Sequence, residues 1–274
     1  MSRGRAQRQP STAPPPPAVQ KLALHYGKVG PLRFASHRVL QRAFERAVRR
    51  ADLPIAYSAG FTPHPRLSYL GAAPTGAASQ AEYLQLRLWQ RMEPTAVVEA
   101  LGRVLPRDLP LFEAVEWDDA ARGDLTELLT DSRWHLEFPP WSGSGPEAQA
   151  LEKAVIAFLK LDRYQAEQVR TGPAGGENRG RYNSKPPRLV DVRQAVRTMV
   201  PGVSQPADRE GYAILDLVLR HATPAVRPED VYAALLNVGL AAPVAHRATR
   251  LAQGRYTVET GTIQDPFSCG NPRP

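Results

Sequence analysis

Cysteine is nearly absent from this chain: Cys269 is the only one in 274 residues. One thiol can form neither an intramolecular disulfide nor a multi-cysteine metal site, which excludes disulfide frameworks, zinc ribbons and cysteine-held iron–sulfur clusters. No apolar run reaches the roughly 20 residues that a membrane span needs, and the opening MSRGRAQRQPSTAPPPPAVQ has no apolar signal core. The expectation is a cytoplasmic chain with no membrane partner. H-E-x-x-H is missing, no G-x-S-x-G follows a strand, and the glycines of residues 71–79 lack the lysine of a phosphate loop. No metal and no cofactor is therefore expected.

Acidic residues are scarce in one region only. Residues 1–66 hold 12 Lys/Arg against 2 acids, residues 67–162 hold 8 against 15, and residues 163–274 hold 15 against 10. The net charge of +8 thus divides into +10, −7 and +5. A uniform bias towards arginine would raise the basic count everywhere, so the acidic middle argues for placed charge. A chain of this balance favours a polyanionic partner.

The length suits two ordinary domains of roughly 100–200 residues each. Residues 1–19 combine arginines with the run Pro14 to Pro17 and read as a disordered basic tail. Beyond it, Lys21 to Tyr26 alternates as a strand that continues, bent or bulged, to Leu32-Arg33-Phe34. Ser36 is placed to cap a helix running to about Asp52. Strands over 67–70 and 81–88, a helix opened by Glu93-Pro94 and a strand over 111–117 complete a βαββαβ order. A second unit of the same order is expected over 131–256. It starts at Trp134 to Phe138, and has a helix over 146–161 and a short strand near Tyr164 to Val169. A strand from Tyr212 to Leu219, a helix from Pro228 and a last strand over 245–251 follow. The predicted fold is α+β: two ferredoxin-like (split βαβ) units in tandem, residues 20–120 and 131–256, with antiparallel sheets, helices on one face and a loose tail over 257–274.

Arg38, Arg42, Arg46 and Arg49 lie at helical spacing, and at about 100° per residue they share one narrow stripe. Such a stripe can neutralise phosphates without reading sequence; the plainer alternative is a solvated helix face. In Gly60-Phe61-Thr62-Pro63-His64-Pro65-Arg66, the flanking prolines fix the backbone and hold His64 extended. An imidazole held so, beside Phe61 and Arg66, suits base stacking, phosphate contact or general acid–base work, unless the prolines only stiffen a connection. His37 either points to solvent or settles against the sheet. Gly71 to Ser79 carries no bulky side chain, so a ligand could approach its amides. Arg179, Arg181, Tyr182, Asn183, Lys185 and Arg188 form a second basic cluster with one aromatic, which suits RNA or a merely soluble loop.

Three segments carry a family resemblance: Gly30-Pro31-Leu32-Arg33-Phe34-Ala35-Ser36-His37, Tyr57 to Ser68, and Gly76-Ala77-Ala78-Ser79-Gln80-Ala81-Glu82-Tyr83. They resemble the radical-SAM-linked domain of unknown function, a bacterial family fused behind a radical SAM domain or encoded near one. Lys185 to Arg193 and His246-Arg247-Ala248-Thr249-Arg250 are similar to later segments of that family. The resemblance implies association with a radical SAM protein. Together with the charge it gives the expectation of a non-catalytic RNA-binding accessory module acting with a radical SAM partner in tRNA or rRNA modification or processing. Arg33, Arg38, Arg42, Arg46, Arg49, Phe61, His64, Arg66, Lys185 and Arg188 would meet RNA. Two alternatives stay open: a protein-interaction subunit of the radical SAM partner, and a metal-independent endoribonuclease with His64 or His37 as base.

Overall fold

A computed structural model describes residues 16–59, 62–138, 148–170, 185–203, 212–240 and 246–268. The first half runs β1 (Gln20–Lys28), a 3-10 turn (Gly30–Phe34), α1 (His37–Arg50), β2 (Leu67–Leu70), β3 (Ala78–Leu88), α2 (Pro94–Gly102) and β4 (Leu111–Glu116). Two short helices, α3 (Asp119–Arg122) and α4 (Leu125–Leu128), lead into the second half. There follow β5 (Asp131–Phe138), α5 (Ala148–Leu159), β6 (Gln165–Arg170), β7 (Lys185–Asp191), α6 (Val192–Ala195) and β8 (Val196–Val203). The last elements are β9 (Ala213–Arg220), α7 (Pro228–Asn237), β10 (Arg247–Thr257) and β11 (Thr262–Gln264).

Alternation along β1 and β3 decides what each face buries. Leu22, Leu24, Tyr26, Leu84, Leu86 and Leu88 pack with Leu40 and Phe44 of α1 and with Val97 and Leu101 of α2. Ala23, Ala81 and Tyr83 lie in a second cluster with Trp117, Leu125 and Phe267. In the second half Trp134, Leu136, Leu215 and Leu217 pack with Leu151 and Phe158 of α5 and Val231 and Leu235 of α7.

The strands of the first half pair antiparallel in the order β4-β1-β3-β2, and those of the second in the order β10-β5-β9-β8. The expectation of separate sheets needs correction: β10 pairs parallel with the start of β3, Ala78 opposite Thr249 and Ser79 opposite Arg250, so both halves share one nine-stranded, mostly antiparallel sheet. The segment 165–170 is not a strand of that sheet but half of a separate β6–β7 ladder. The strand beside β9 is β8, which contains Pro201 and Gly202 and reads locally as a turn. It lies at the sheet's end, where a missing proline N–H breaks no ladder. Residues 30–34 form a 3-10 turn instead of extending the first strand. The expected loose tail is also corrected: β10 reaches Thr257, β11 pairs with it, and Phe267 is buried against Tyr83 and Trp117. The tail before residue 16 and Cys269 lie outside the described residues. Among the described residues no helix is long and apolar enough to cross a membrane.

At the join the interior is charged. The Arg250 guanidinium donates through Nη2 to Glu82 Oε1 and through Nε to Ser79 Oγ at 3.2 Å, and lies 5.5 Å from the Trp134 ring centroid. Gln253 donates to the Ala81 carbonyl where β10 has bulged away from β3. Lys28, also buried, donates to the carbonyls of Ala73 at 3.2 Å and Pro74 at 2.9 Å. Burial pulls its ammonium below the usual lysine value, partly offset by Glu82.

Removing one member of a buried pair strands the other charge, a loss of about 3–5 kcal/mol. Urea unfolding of Glu82→Gln and Arg250→Met should each show it, with the double variant losing less than the sum. Losses below about 1 kcal/mol in both single variants, the range of surface pairs, would place the stability of the join elsewhere. A second expectation concerns pH. Burial lowers the pKa of half-buried His221, against the opposing pull of the Leu129 carbonyl 2.7 Å from its Nδ1, while Arg250 depresses it further. The unfolded chain then takes up this proton first, so His221 contributes stability above roughly pH 6.5 that is lost as the pH falls towards its folded value. His221→Gln should flatten that decline in unfolding free energy between about pH 7 and 5.

Candidate functional site

The apolar residues of α1 fix which side of it meets water. Leu40, Phe44, Ala47 and Val48 are buried, which turns Arg38, Arg42, Arg46 and Arg49 to the opposite, exposed face within roughly 80° of one another at helical spacing. Among the described residues none of these guanidinium groups has a carboxylate within ion-pair distance. Glu45, the one acid of the helix, is half-buried beside Tyr69, whose phenol is pushed up first by its own burial and then by Glu45.

The proline-flanked segment folds back on itself. Ile55 bridges Leu88 and Tyr57 bridges Pro65, Ser58 N donates to the His64 carbonyl at 2.9 Å, and His64 N donates to Ser58 Oγ at 3.0 Å. His64 is thus fixed through its main chain with its ring exposed, and Arg66 is exposed too. Phe61 lies outside the described residues.

Between the two halves lies a cleft of two chambers. The larger, about 720 Å³, is lined by Gly30, Arg33, Phe34 and Gly76 on one side and by Glu229, His246 and Arg247 on the other, with Ala78 and Ala248 of the joined strands. The smaller, about 590 Å³, is lined by His37, Ala72 to Thr75 and Arg227 to Asp230, except Pro228. The loop of small residues therefore forms a wall of both chambers. It is tied down by Lys28, by Ala73 N donating to Glu82 Oε2 at 3.2 Å, and by a reciprocal pair with Arg33. In that pair Arg33 Nε donates to the Gly76 carbonyl at 2.6 Å and Gly76 N to the Arg33 carbonyl at 2.8 Å. Positive φ favours glycine at Gly76, one end of this contact, and at Gly30, which opens the turn that carries Arg33. Gly30 has φ +53° and a side chain there would meet Asp108 Oδ1 at 2.6 Å, while Gly76 has φ +97°.

Burial, then the charge of Arg247, lowers the pKa of Arg33, and Glu137 opposes them. Two guanidinium groups, those of Arg33 and Arg247, thus line the larger chamber. Across it, lost hydration raises the carboxyl of Glu229, although its side chain still reaches solvent. His37 lines the smaller chamber, its Nε2 3.0 Å from Gln41 Nε2 and its ring edge-on to Tyr69 at 5.2 Å. His64 lines neither chamber, so the two candidate bases are not brought together in one. Among the described residues no three His, Cys, Asp or Glu side chains converge as metal ligands do.

Arg188 lies exposed on β7, opposite Gln168 of β6. Gln168 donates to the Ala225 carbonyl at 2.9 Å and to Asp230, which lines the smaller chamber, so this ladder is anchored at the cleft. Of Lys185 only the main chain is described, and Arg179, Arg181, Tyr182 and Asn183 lie outside the described residues. Asp191 pairs with Arg163 at 2.9 Å and caps α6 through Gln194 N, while Arg193 donates to the Leu159 carbonyl, so those two charges serve packing.

The sequence profile of a bacterial family described as "Uncharacterized protein conserved in bacteria (DUF2344)" matches residues 21–228. The chain belongs to that family. No curated protein matches it. The matched span takes in the arginine stripe, the proline-flanked hairpin and one wall of the cleft, and ends at the first residue of α7. Glu229, His246 and Arg247 of the opposite wall follow it. Sequence reasoning did not single out these three or Phe34 as site residues, although Phe34, His246 and Arg247 stand inside the segments that carry the family resemblance.

Proposed function

We propose that this DUF2344 protein is a non-catalytic RNA-binding accessory module that acts with a separate radical SAM protein in tRNA or rRNA modification or processing. The observation that carries the RNA reading is the outer face of α1: four exposed guanidinium groups on one stripe, without a carboxylate partner among the described residues. Arginine forks in such a row match the spacing and charge of a phosphate backbone and carry no base-specific information. Arg66, His64 and Arg188, all exposed, would add cationic and aromatic contacts to the same RNA. The radical SAM partner rests on the resemblance of the motif segments. We also read each half as a ferredoxin-like unit, because each has two helices of nine or more residues and a strand order equivalent to 4-1-3-2.

Affinity for RNA should fall steeply with salt. Four phosphate contacts on a single strand correspond to a slope of about −2.8 in log affinity against log salt, and Arg42→Ala with Arg46→Ala should reduce its magnitude by about 1.4. Filter binding of labelled total RNA across a salt series measures both. Salt-insensitive binding, or none, rejects the RNA reading. Co-purification of an acidic protein that resists nuclease and is lost in the same double variant would instead make the stripe a protein-docking face.

A further inference from the structure

We infer that the larger chamber of the cleft binds one nucleotide, its base stacked on Phe34 and its phosphate held by Arg33. This rests on residues other than the α1 stripe and does not require the stripe to bind RNA.

Phe34 is 68% exposed, more than any other Phe, Tyr or Trp among the described residues, and it belongs to none of the hydrophobic clusters. It is not loosely held. It ends a 3-10 turn closed by Ala35 N donating to the Leu32 carbonyl at 2.9 Å, started by a glycine that Asp108 allows no side chain, and tied to the facing loop through Arg33. A ring carried on a fixed main chain and open to water at the edge of a cleft is a stacking platform. The chamber is also lined by Gly76, Ala78 and Ala248, whose small side chains leave room for a planar group. The volume of about 720 Å³ falls within the usual range for small-molecule pockets.

The polar groups give the ligand a direction. The Arg33 guanidinium lies 5.4 Å from the Phe34 ring centroid and commits only its Nε, to Gly76, so among the described residues its terminal nitrogens have no acceptor. A phosphate can take the two parallel N–H groups of the fork. Glu229, on the opposite wall, can only accept hydrogen bonds when ionised and repels phosphate. It suits ribose hydroxyls or an exocyclic amino group of a base, which should rank guanine, adenine and cytosine above uracil. The nucleotide is either free or one unit of a bound RNA, and both present this chemistry.

The test is isothermal titration of the full chain with AMP, GMP, CMP, UMP and the corresponding nucleosides, alongside a short RNA. Mononucleotides should bind, and nucleosides should bind about tenfold or more weakly for want of the charged contact. Phe34→Ala should weaken nucleotide and nucleoside alike by about fivefold or more, without moving the unfolding midpoint of an exposed site. Arg33→Met should weaken only the phosphorylated ligands, and Glu229→Gln should narrow the gap between GMP and UMP. If mononucleotides do not bind but RNA affinity falls on Phe34→Ala, the nucleotide is a unit of the RNA chain and the pocket stands. If Phe34→Ala changes the binding of neither, the inference is overturned, whatever the α1 variants do.

Discussion

Glu82 and Arg250 meet in the interior, 168 residues apart in sequence, where β3 and β10 run parallel for two residue pairs. Two opposite charges out of water tolerate little displacement, because a shift in register would leave each without its partner in a low-dielectric surrounding. Ser79 and Gln253 occupy the remaining polar positions, so the short pairing is completed by side chains where the backbones diverge. The join thereby converts two sheets into one and fixes how the two walls of the cleft face each other.

The cleft inherits its geometry from that join. Glu82 reaches from the buried pair to Ala73 N, Lys28 holds the neighbouring carbonyls, and Arg33 closes the far end of the same loop on Gly76. Gly76 serves this loop through its φ of +97°, since a side chain there would meet nothing within 4 Å. The position of the α1 stripe has a separate origin, the helical spacing of Leu40, Phe44, Ala47 and Val48. Two surfaces with different physical origins thus carry the two functional proposals.

How much of this the sequence discloses depends on range. The α1 stripe is legible because period and charge are local: four arginines at helical spacing, with Glu45 the only acid among them. β1, β3 and β9 are legible because alternation shows which faces they bury, and the first half's element order follows from them. β8 is hidden by Pro201-Gly202, a turn signal overridden at a sheet edge, and β6 was taken for its place because a short apolar stretch carries no information about its partner. The β3–β10 pairing has no local signature, and Glu82 and Arg250 look like the polar positions of half-exposed strands. Phe34 looks like a strand residue aimed at the core; only the 3-10 turn, set by Gly30 and Asp108, turns it outwards. The small-residue loop, Arg33 and His37 are legible as single features, but the cleft they share is not, since its walls come from residues 30–34, 72–78, 227–230 and 246–248 and exist only once the sheet is joined.

Ultraviolet crosslinking of the intact chain to cellular RNA, followed by mass-spectrometric location of the nucleotide adducts, tests the nucleic-acid account most directly. The account places adducts on peptides spanning the outer face of α1 and on the one carrying Phe34, with the sequenced RNA enriched in one class of structured RNA. Adducts confined to the opposite edge around Val200 of β8, or a chain that yields none while a known RNA-binding protein does, would contradict it.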